Sequence, residues 1–441
     1  MHAFDICFDL ASKMKNPHEV VSSMNDKIKR GQFLSPEWPL ISLAWGLSGI
    51  TCFYAMMEFN FPDEGWEKVV YDYLLIAKEI VERDSISDLS LYSGLTGLSA
   101  VVHLSSHNGS RYHKTLSALD DLLIREVQTG YLSHTNHYLN PYVPIPPNHY
   151  NLANGLCGML IYFMNREDSV VLKNLAQDCL YSLVETLSVV KEINGSRVPA
   201  WYVSSEHESI LEYKEKYSKG HFKLNIPNGL PGVLAALSLA KIKGYHAPGL
   251  VELIAKMADW ILKKQIIHEQ QMNWNHLVSM EEELEEITSG LKIQHRAWFY
   301  GALGILRCLY LSARAVNDSN LAKFSEKAFL SIVVKPDPEN EMKDLSFSFG
   351  KAGLLAMTYE MACDTKNPEF FKQSRVLEEE IKKDHHPNHE FGFQTLLYDD
   401  KGSLKWSNNP SLLNGAAGIG LTLLRVQGKQ EILWSHPFVI A

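Results

Sequence analysis

The chain is poor in cysteine, and no two of its cysteines share a CxxC or other metal-ligand spacing. Six are scattered over 441 residues, at Cys7, Cys52, Cys157, Cys179, Cys308 and Cys363. That pattern excludes a disulfide scaffold, and reduced, mostly buried thiols in a cytoplasmic protein are expected. Long apolar runs are missing too. No stretch approaches the roughly 18 apolar residues that a membrane helix requires, so no integral membrane segment is expected. The start, MHAFDICFDLASKMKN, lacks the basic stretch, apolar core and cleavage site of a secretory signal. No basic stripe offsets the net charge of −9, which argues against a nucleic-acid partner.

What the chain does have is a repeated phrase: Gly, two residues, Gly, then an apolar run. The pairs are Gly46/Gly49, Gly94/Gly97, Gly155/Gly158, Gly229/Gly232, Gly301/Gly304, Gly350/Gly353 and Gly415/Gly418. Their first glycines are 48, 61, 74, 72, 49 and 65 residues apart, enough for a pair of helices in each unit. Self-similarity at this scale signals a repeat architecture, and seven units suggest a ring. With 46% hydrophobic residues there is ample material for one large core. A single domain over 1–441 is therefore expected.

Each pair opens a segment with helical apolar spacing, such as Leu95, Leu98, Val101 and Val102. Glycines three apart share a helix face and are expected to allow close backbone approach. The amphipathic stretches between, such as 67–84, 173–190, 249–264 and 321–334, read as outer helices around inner ones. Asn154, Asn228, Asn414 and Ser93 stand just before a first glycine and read as helix N-caps. Inner-helix N-termini converging at one end would favour an anionic ligand group.

Three long connections, near 131–150, 192–223 and 268–292, read as lids or binding loops, the first as an extended loop. The acidic run at 281–286 reads as a solvated helix face. The motif DHHPNHE, with His385, His386 and His389, reads as a solvated turn rather than a metal site. Cys157, although beside a repeat opening, reads as a small buried hydrophobe. No Asp or Glu stands beside a first glycine, which counts against a carboxylate-based glycosidase.

The repeats resemble those of the LanC-like family, the lanthionine-forming cyclases, from Leu43 to Leu423. The most specific pieces are Trp298-Phe299-Tyr300-Gly301 and SLLNGAAGIGL at 411–421. The resemblance implies an all-α fold, an α/α toroid of seven inner and seven outer helices. It also implies an activity: adding a cysteine thiol to dehydroalanine or dehydrobutyrine in a ribosomally made peptide. In the family, a zinc ion held by two Cys and one His stabilises the thiolate, and a further His and an Asp assist proton transfer.

Carried over residue by residue, the family's zinc-ligand positions are Phe299, Ser348 and Phe349 here. The proton-transfer His position is Asn228, and the assisting Asp position falls, more loosely, at Asn151. Two phenyl rings and a hydroxyl do not make a tetrahedral N/S site, and Asn does no acid–base work. No cofactor is expected. Phe299 and Phe349 read as fillers of the volume a metal site would take.

The resemblance therefore implies a degenerate, zinc-free member that binds a precursor peptide through Asn151, Asn154, Asn228, Trp298, Phe299, Tyr300, Ser348, Phe349 and Asn414. A dehydratase or second cyclase of the same pathway is the other partner expected. The alternative is a zinc-independent cyclase, for which His295 is the surviving acid–base candidate.

Overall fold

The computed structural model describes residues 2–33, 35–84, 86–107, 109–268, 271–287, 290, 296–334, 342–428 and 433–439. The chain forms two compact units, 1–119 with 336–435 and 120–335 with 436–441. Repeats 1, 2, 6 and 7 lie in the first and repeats 3, 4 and 5 in the second.

In the first unit the inner helices are Leu47–Asn60, Leu95–Leu104, Lys351–Thr365 and Ala416–Gln427. In the second they are Leu156–Met164, Leu230–Ile242 and Ala302–Val316. These helices are apolar nearly all round, and every residue of Leu156–Met164 is buried. A helix of that kind is core. Amphipathic partners pack against them at the four stretches named from the sequence, as Trp66–Asp84, Val170–Ser188, Leu250–Lys263 and Ser319–Val334, and at a fifth, Pro368–Lys383. Trp66–Asp84 buries Val69, Val70, Tyr73, Leu74, Ala77 and Ile80, one stripe at helical spacing, and leaves its other face wet.

The last inner helix, Ala416–Gln427, has no such partner downstream among the described residues. The N-terminal helix Ala3–Lys13 packs there instead. Its Leu10 reaches Gly420, where an added Cβ would lie 3.2 Å from the leucine and 2.6 Å from the Phe53 ring. The chain's first helix thus completes its last repeat.

Among the described residues, four two-stranded antiparallel sheets decorate the connections. Lys191–Ile193 pairs with Ser196–Val198, His221–Lys223 with Leu277–Ser279, Ile266–His268 with Gln271–Asn273, and Thr395–Tyr398 with Leu404–Ser407. The segment 131–150 is not the extended loop its composition suggests. It carries two short helices, Thr135–Tyr138 and Pro147–Tyr150, and Pro147 opens the second at its first position, where a missing N–H costs little. Lys191 Nζ ties this segment down by donating to the carbonyls of Tyr138 and Asn140, at 2.5 and 3.1 Å.

The acidic run forms the short helix Met280–Leu284, and it is not wholly solvated. Glu282 closes a capping box with Ser279, and Glu283 pairs with Lys264 at 2.8 Å. The DHHPNHE turn is likewise pinned rather than loose: buried His385 hydrogen-bonds Asp9 at 2.8 Å, and Lys13 donates to Pro387 O at 2.6 Å.

Candidate functional site

Each inner helix is entered by the same tight turn, and its glycine does more than allow close helix packing. The first glycine is itself the N-cap in all seven repeats, with no side-chain cap. Asn154, Asn228, Asn414 and Ser93 are therefore not caps. Four places before the glycine stand Ser42, Ser90, Asn151, Asn225, Ala297, Ser346 and Ser411, and most of them organise the turn. In five repeats that residue's side-chain oxygen accepts the N–H of the residue just before the glycine. Ser42 accepts from Trp45 at 3.0 Å, Ser90 from Ser93 at 3.2 Å, Asn151 from Asn154 at 2.7 Å, Asn225 from Asn228 at 2.8 Å and Ser346 from Phe349 at 3.2 Å. These are Asx- and Ser-type turns. The signal is in the sequence, but a search for caps beside the glycine overlooks it.

The turn folds back so closely that a side chain at either glycine would strike carbonyl oxygen. An added Cβ at Gly46 would lie 2.0 Å from Pro39 O, and one at Gly418 1.9 Å from Leu412 O. The second glycine also seats a side chain of the preceding repeat. In the first unit Gly49 receives Leu412, Gly97 Leu43 and Gly418 Phe347; in the second Gly232 receives Leu152 and Gly304 Ile226. Each of those guests stands three places before its own glycine.

Backbone hydrogen bonds run between the residues two places before successive glycines. In the first unit Ser348 N donates to Leu413 O, Leu413 N to Ala44 O and Ala44 N to Tyr92 O, at 2.8, 2.8 and 3.0 Å. In the second unit Ala153 N donates to Pro227 O at 2.8 Å. Pro227 has no N–H, so Ile226 donates instead, to Phe299 O at 3.3 Å.

The turn also occupies the first N–H of each inner helix in the first unit. The N–H groups of Leu47, Leu95, Lys351 and Ala416 are taken by the carbonyls of Leu40, Asp88, Asp344 and Asn409. A helix N-terminus binds anions through such N–H groups, and these already have partners.

The residue just before the glycine is the one the turn leaves open. Trp45, Ser93 and Asn414 in the first unit, and Asn154, Asn228 and Tyr300 in the second, are half-buried between buried neighbours on the helix side. Phe349 is 38% exposed. Phe299 is half-buried as well. Phe299 packs against Trp298 and Tyr300, with centroids 6.1 and 4.6 Å away, whereas Phe349 stands more open.

Three other expected contact residues are not accessible. Trp298 is fully buried and donates its indole N–H to Phe438 O at 3.0 Å. Asn151 is 3% exposed and its amide holds the turn. Ser348 is 1% exposed, and its hydroxyl donates to Asn414 Oδ1 at 2.5 Å. Behind it, buried Asp344 accepts from Ser346 Oγ and from the N–H groups of Leu345 and Leu396. Burial raises the Asp344 pKa against the pull of those hydrogen bonds. Cys157 is buried, and burial pushes its thiol far up, as a packing residue requires. His295 lies outside the described residues.

In the second unit the connections bring rings to these turns. Tyr131 donates to Asn154 O at 3.4 Å and stacks on His149, with centroids 5.4 Å apart. Burial holds the His149 pKa down at about 4. At repeat 5, Tyr300 meets Phe299 at 4.6 Å and His276 at 5.5 Å. Its hydroxyl is pushed up to about 12 by burial, then by Tyr213 and Glu208, so it stays protonated at neutral pH. His276 sits in the connection at 268–292, and reasoning from the repeat openings alone misses it.

The residues that the resemblance places at the zinc positions do not fit the metal. Phe299 and Phe349 have no donor atom, and the Ser348 hydroxyl is committed to Asn414. Among the described residues no group of three or more His, Cys, Asp or Glu is placed to hold a metal ion.

The sequence model of the lanthionine synthetase C-like proteins matches residues 37–439. The chain belongs to this family. It is 25% identical over 321 residues to the nisin biosynthesis protein NisC of Lactococcus lactis subsp. lactis, covering 71% of this chain and 72% of that one. The solved structure of nisin cyclase superposes with a TM-score of 0.76 at 17% identity, over 98% of each chain. The fold of this LanC-like chain is thus the α/α toroid, all-α apart from its short strand pairs. Among its described residues no helix is long and apolar enough to cross a membrane.

Proposed function

We propose that this LanC-like chain binds a ribosomally made precursor peptide in a lanthipeptide-type pathway, in a site that uses no zinc. One observation carries the reading. In each unit the repeat turns leave open neutral side chains that are either aromatic or able to hydrogen-bond: Trp45, Ser93, Phe349 and Asn414 in the first, Asn154, Asn228 and Tyr300 in the second. Such side chains suit peptide backbone and apolar side chains, and they burden the complex with no unpaired charge. The relatives' printed names, a nisin biosynthesis protein and a nisin cyclase, supply the class of ligand.

Fluorescence anisotropy of a labelled, dehydrated, cysteine-containing precursor peptide tests this. Saturable binding that weakens in Asn154→Ala and Phe349→Ala is expected. Absence of binding overturns the peptide reading, and co-purification with a dehydratase or second cyclase would then be the partner assay to run.

A further inference from the structure

The resemblance places a proton-transfer histidine where this chain has Asn228, and an imidazole from another element stands instead against Tyr300, the open residue of the next repeat. The strand pair His221–Lys223 and Leu277–Ser279 brings residue 276 alongside the entry to repeat 4. There Leu224 N donates to His276 O at 2.8 Å, four residues before Asn228. The neighbouring residue, Asn225, pairs with Tyr300, which occupies the open position of repeat 5. The His276 ring meets Tyr300 edge-on, 5.5 Å between centroids at 64°. Its Nε2 lies 3.3 Å from the Tyr213 hydroxyl. His276 is half-buried, so it is held and still reachable.

Behind it stands a charged group that orders the connection. The Glu208 carboxylate, whose side chain is fully buried, lies 2.8 Å from Lys223 Nζ and 3.1 Å from His221 Nε2. Glu208 Oε1 also accepts Ile210 N–H at 2.9 Å. These contacts fix the segment that carries Tyr213 and the strand that flanks His276.

We propose that His276, hydrogen-bonded to Tyr213 and packed against Tyr300, is the proton-transfer group of this site and lets it close thioether rings without a metal. The proposal rests on the reading that the site holds a dehydrated peptide. In the step, a peptide cysteine gives its S–H proton to the imidazole, directly or through the Tyr213 hydroxyl. The sulfur lone pair attacks Cβ of a dehydro residue, forming the C–S bond. The Cα=Cβ electron pair moves onto Cα and its carbonyl as an enolate, and the imidazolium returns the proton to Cα. One S–H and one C=C bond are replaced by C–S and C–H bonds, so no oxidant or reductant is needed.

The test follows free thiol in a dehydrated, cysteine-containing peptide with the full chain, together with His276→Ala, His276→Gln and Tyr213→Phe. Peptide affinity by anisotropy and thermal unfolding are measured for each. Wild-type protein is expected to consume thiol faster than the spontaneous background. His276→Ala should lose on the order of 10²-fold of that acceleration, the lower end of general acid–base contributions, with peptide affinity retained. Added imidazole should restore part of the rate, which a merely structural histidine would not allow. Should His276→Ala fail to fold, His276→Gln decides the matter. Variants as fast as wild type overturn the role of His276 and leave peptide binding standing. A wild-type protein that binds peptide without acceleration overturns the proposal as well. A protein that binds no peptide overturns the reading beneath it.

Discussion

The backbone N–H of Leu413 donates to the carbonyl of Ala44 at 2.8 Å, so the seventh repeat is hydrogen-bonded to the first. The N-terminal helix adds a second tie, since Ala3–Lys13 packs on the helix that follows Leu413. Residues at the two ends of the sequence therefore share one core, and damage to a repeat turn should be felt as lost global stability.

The second glycine of a pair is the place to test that. Gly418→Ala puts a methyl 1.9 Å from Leu412 O and 3.2 Å from Phe347 Cβ, whereas Gly130→Ala meets nothing within 4 Å. Gly418→Ala is expected to cost about 1–3 kcal/mol or more, as overpacking does. Gly130→Ala should leave the thermal midpoint nearly unchanged. Equal midpoints for the two variants would contradict the seat assigned to Gly418.

Two asparagines three residues apart should behave in opposite ways. Asn151→Ala removes the acceptor of the Asn154 N–H inside a buried turn and should cost about 1–2 kcal/mol, the size of a lost cap. Asn154→Ala removes an open side chain that caps nothing, so stability should hold while peptide affinity falls. Chemical denaturation and anisotropy, run on both variants, separate the effects.

Acid should destabilise the chain through its buried histidines. Burial lowers the His149 pKa from 6.5 to about 4. Between those values the unfolded chain takes up a proton that the folded chain refuses. Stability is therefore lost as pH falls from 6.5 towards 4, by about 3 kcal/mol for such a shift. His221, lowered to about 4 by burial and then by Lys223, acts in the same direction. His149→Phe keeps a ring against Tyr131 and Tyr138 and removes the titration, and His149 Nε2 is buried with no hydrogen-bond partner to lose. Urea midpoints at pH 7 and pH 4.5 should converge in this variant relative to wild type; an unaltered difference would assign the effect elsewhere.

Zinc analysis is the most direct check on the site's chemistry. With Phe299, Ser348 and Phe349 at the ligand positions, protein dialysed against metal-free buffer is expected to retain far less than one zinc per chain. Stoichiometric zinc that survives dialysis would show that other residues hold it.

The glycine phrases made the seven repeats and the alternation of apolar and amphipathic helices legible without coordinates. Both depend on period and on the absence of side chains, which a sequence displays directly. That Phe299 and Phe349 carry no donor atom is likewise read from the sequence, because donor atoms are a property of residue type. Accessibility was not legible. The family resemblance makes Trp298, Asn151 and Ser348 contact residues, and the fold buries all three, while it leaves Phe349 open. His276 was invisible for a similar reason: its role depends on a strand pairing that joins residues 221–223 to 277–279 across a whole helical pair. Residue type and local period belong to the chain itself, but which side chains face solvent, and which meet from distant segments, follows from packing and register that only the folded structure decides.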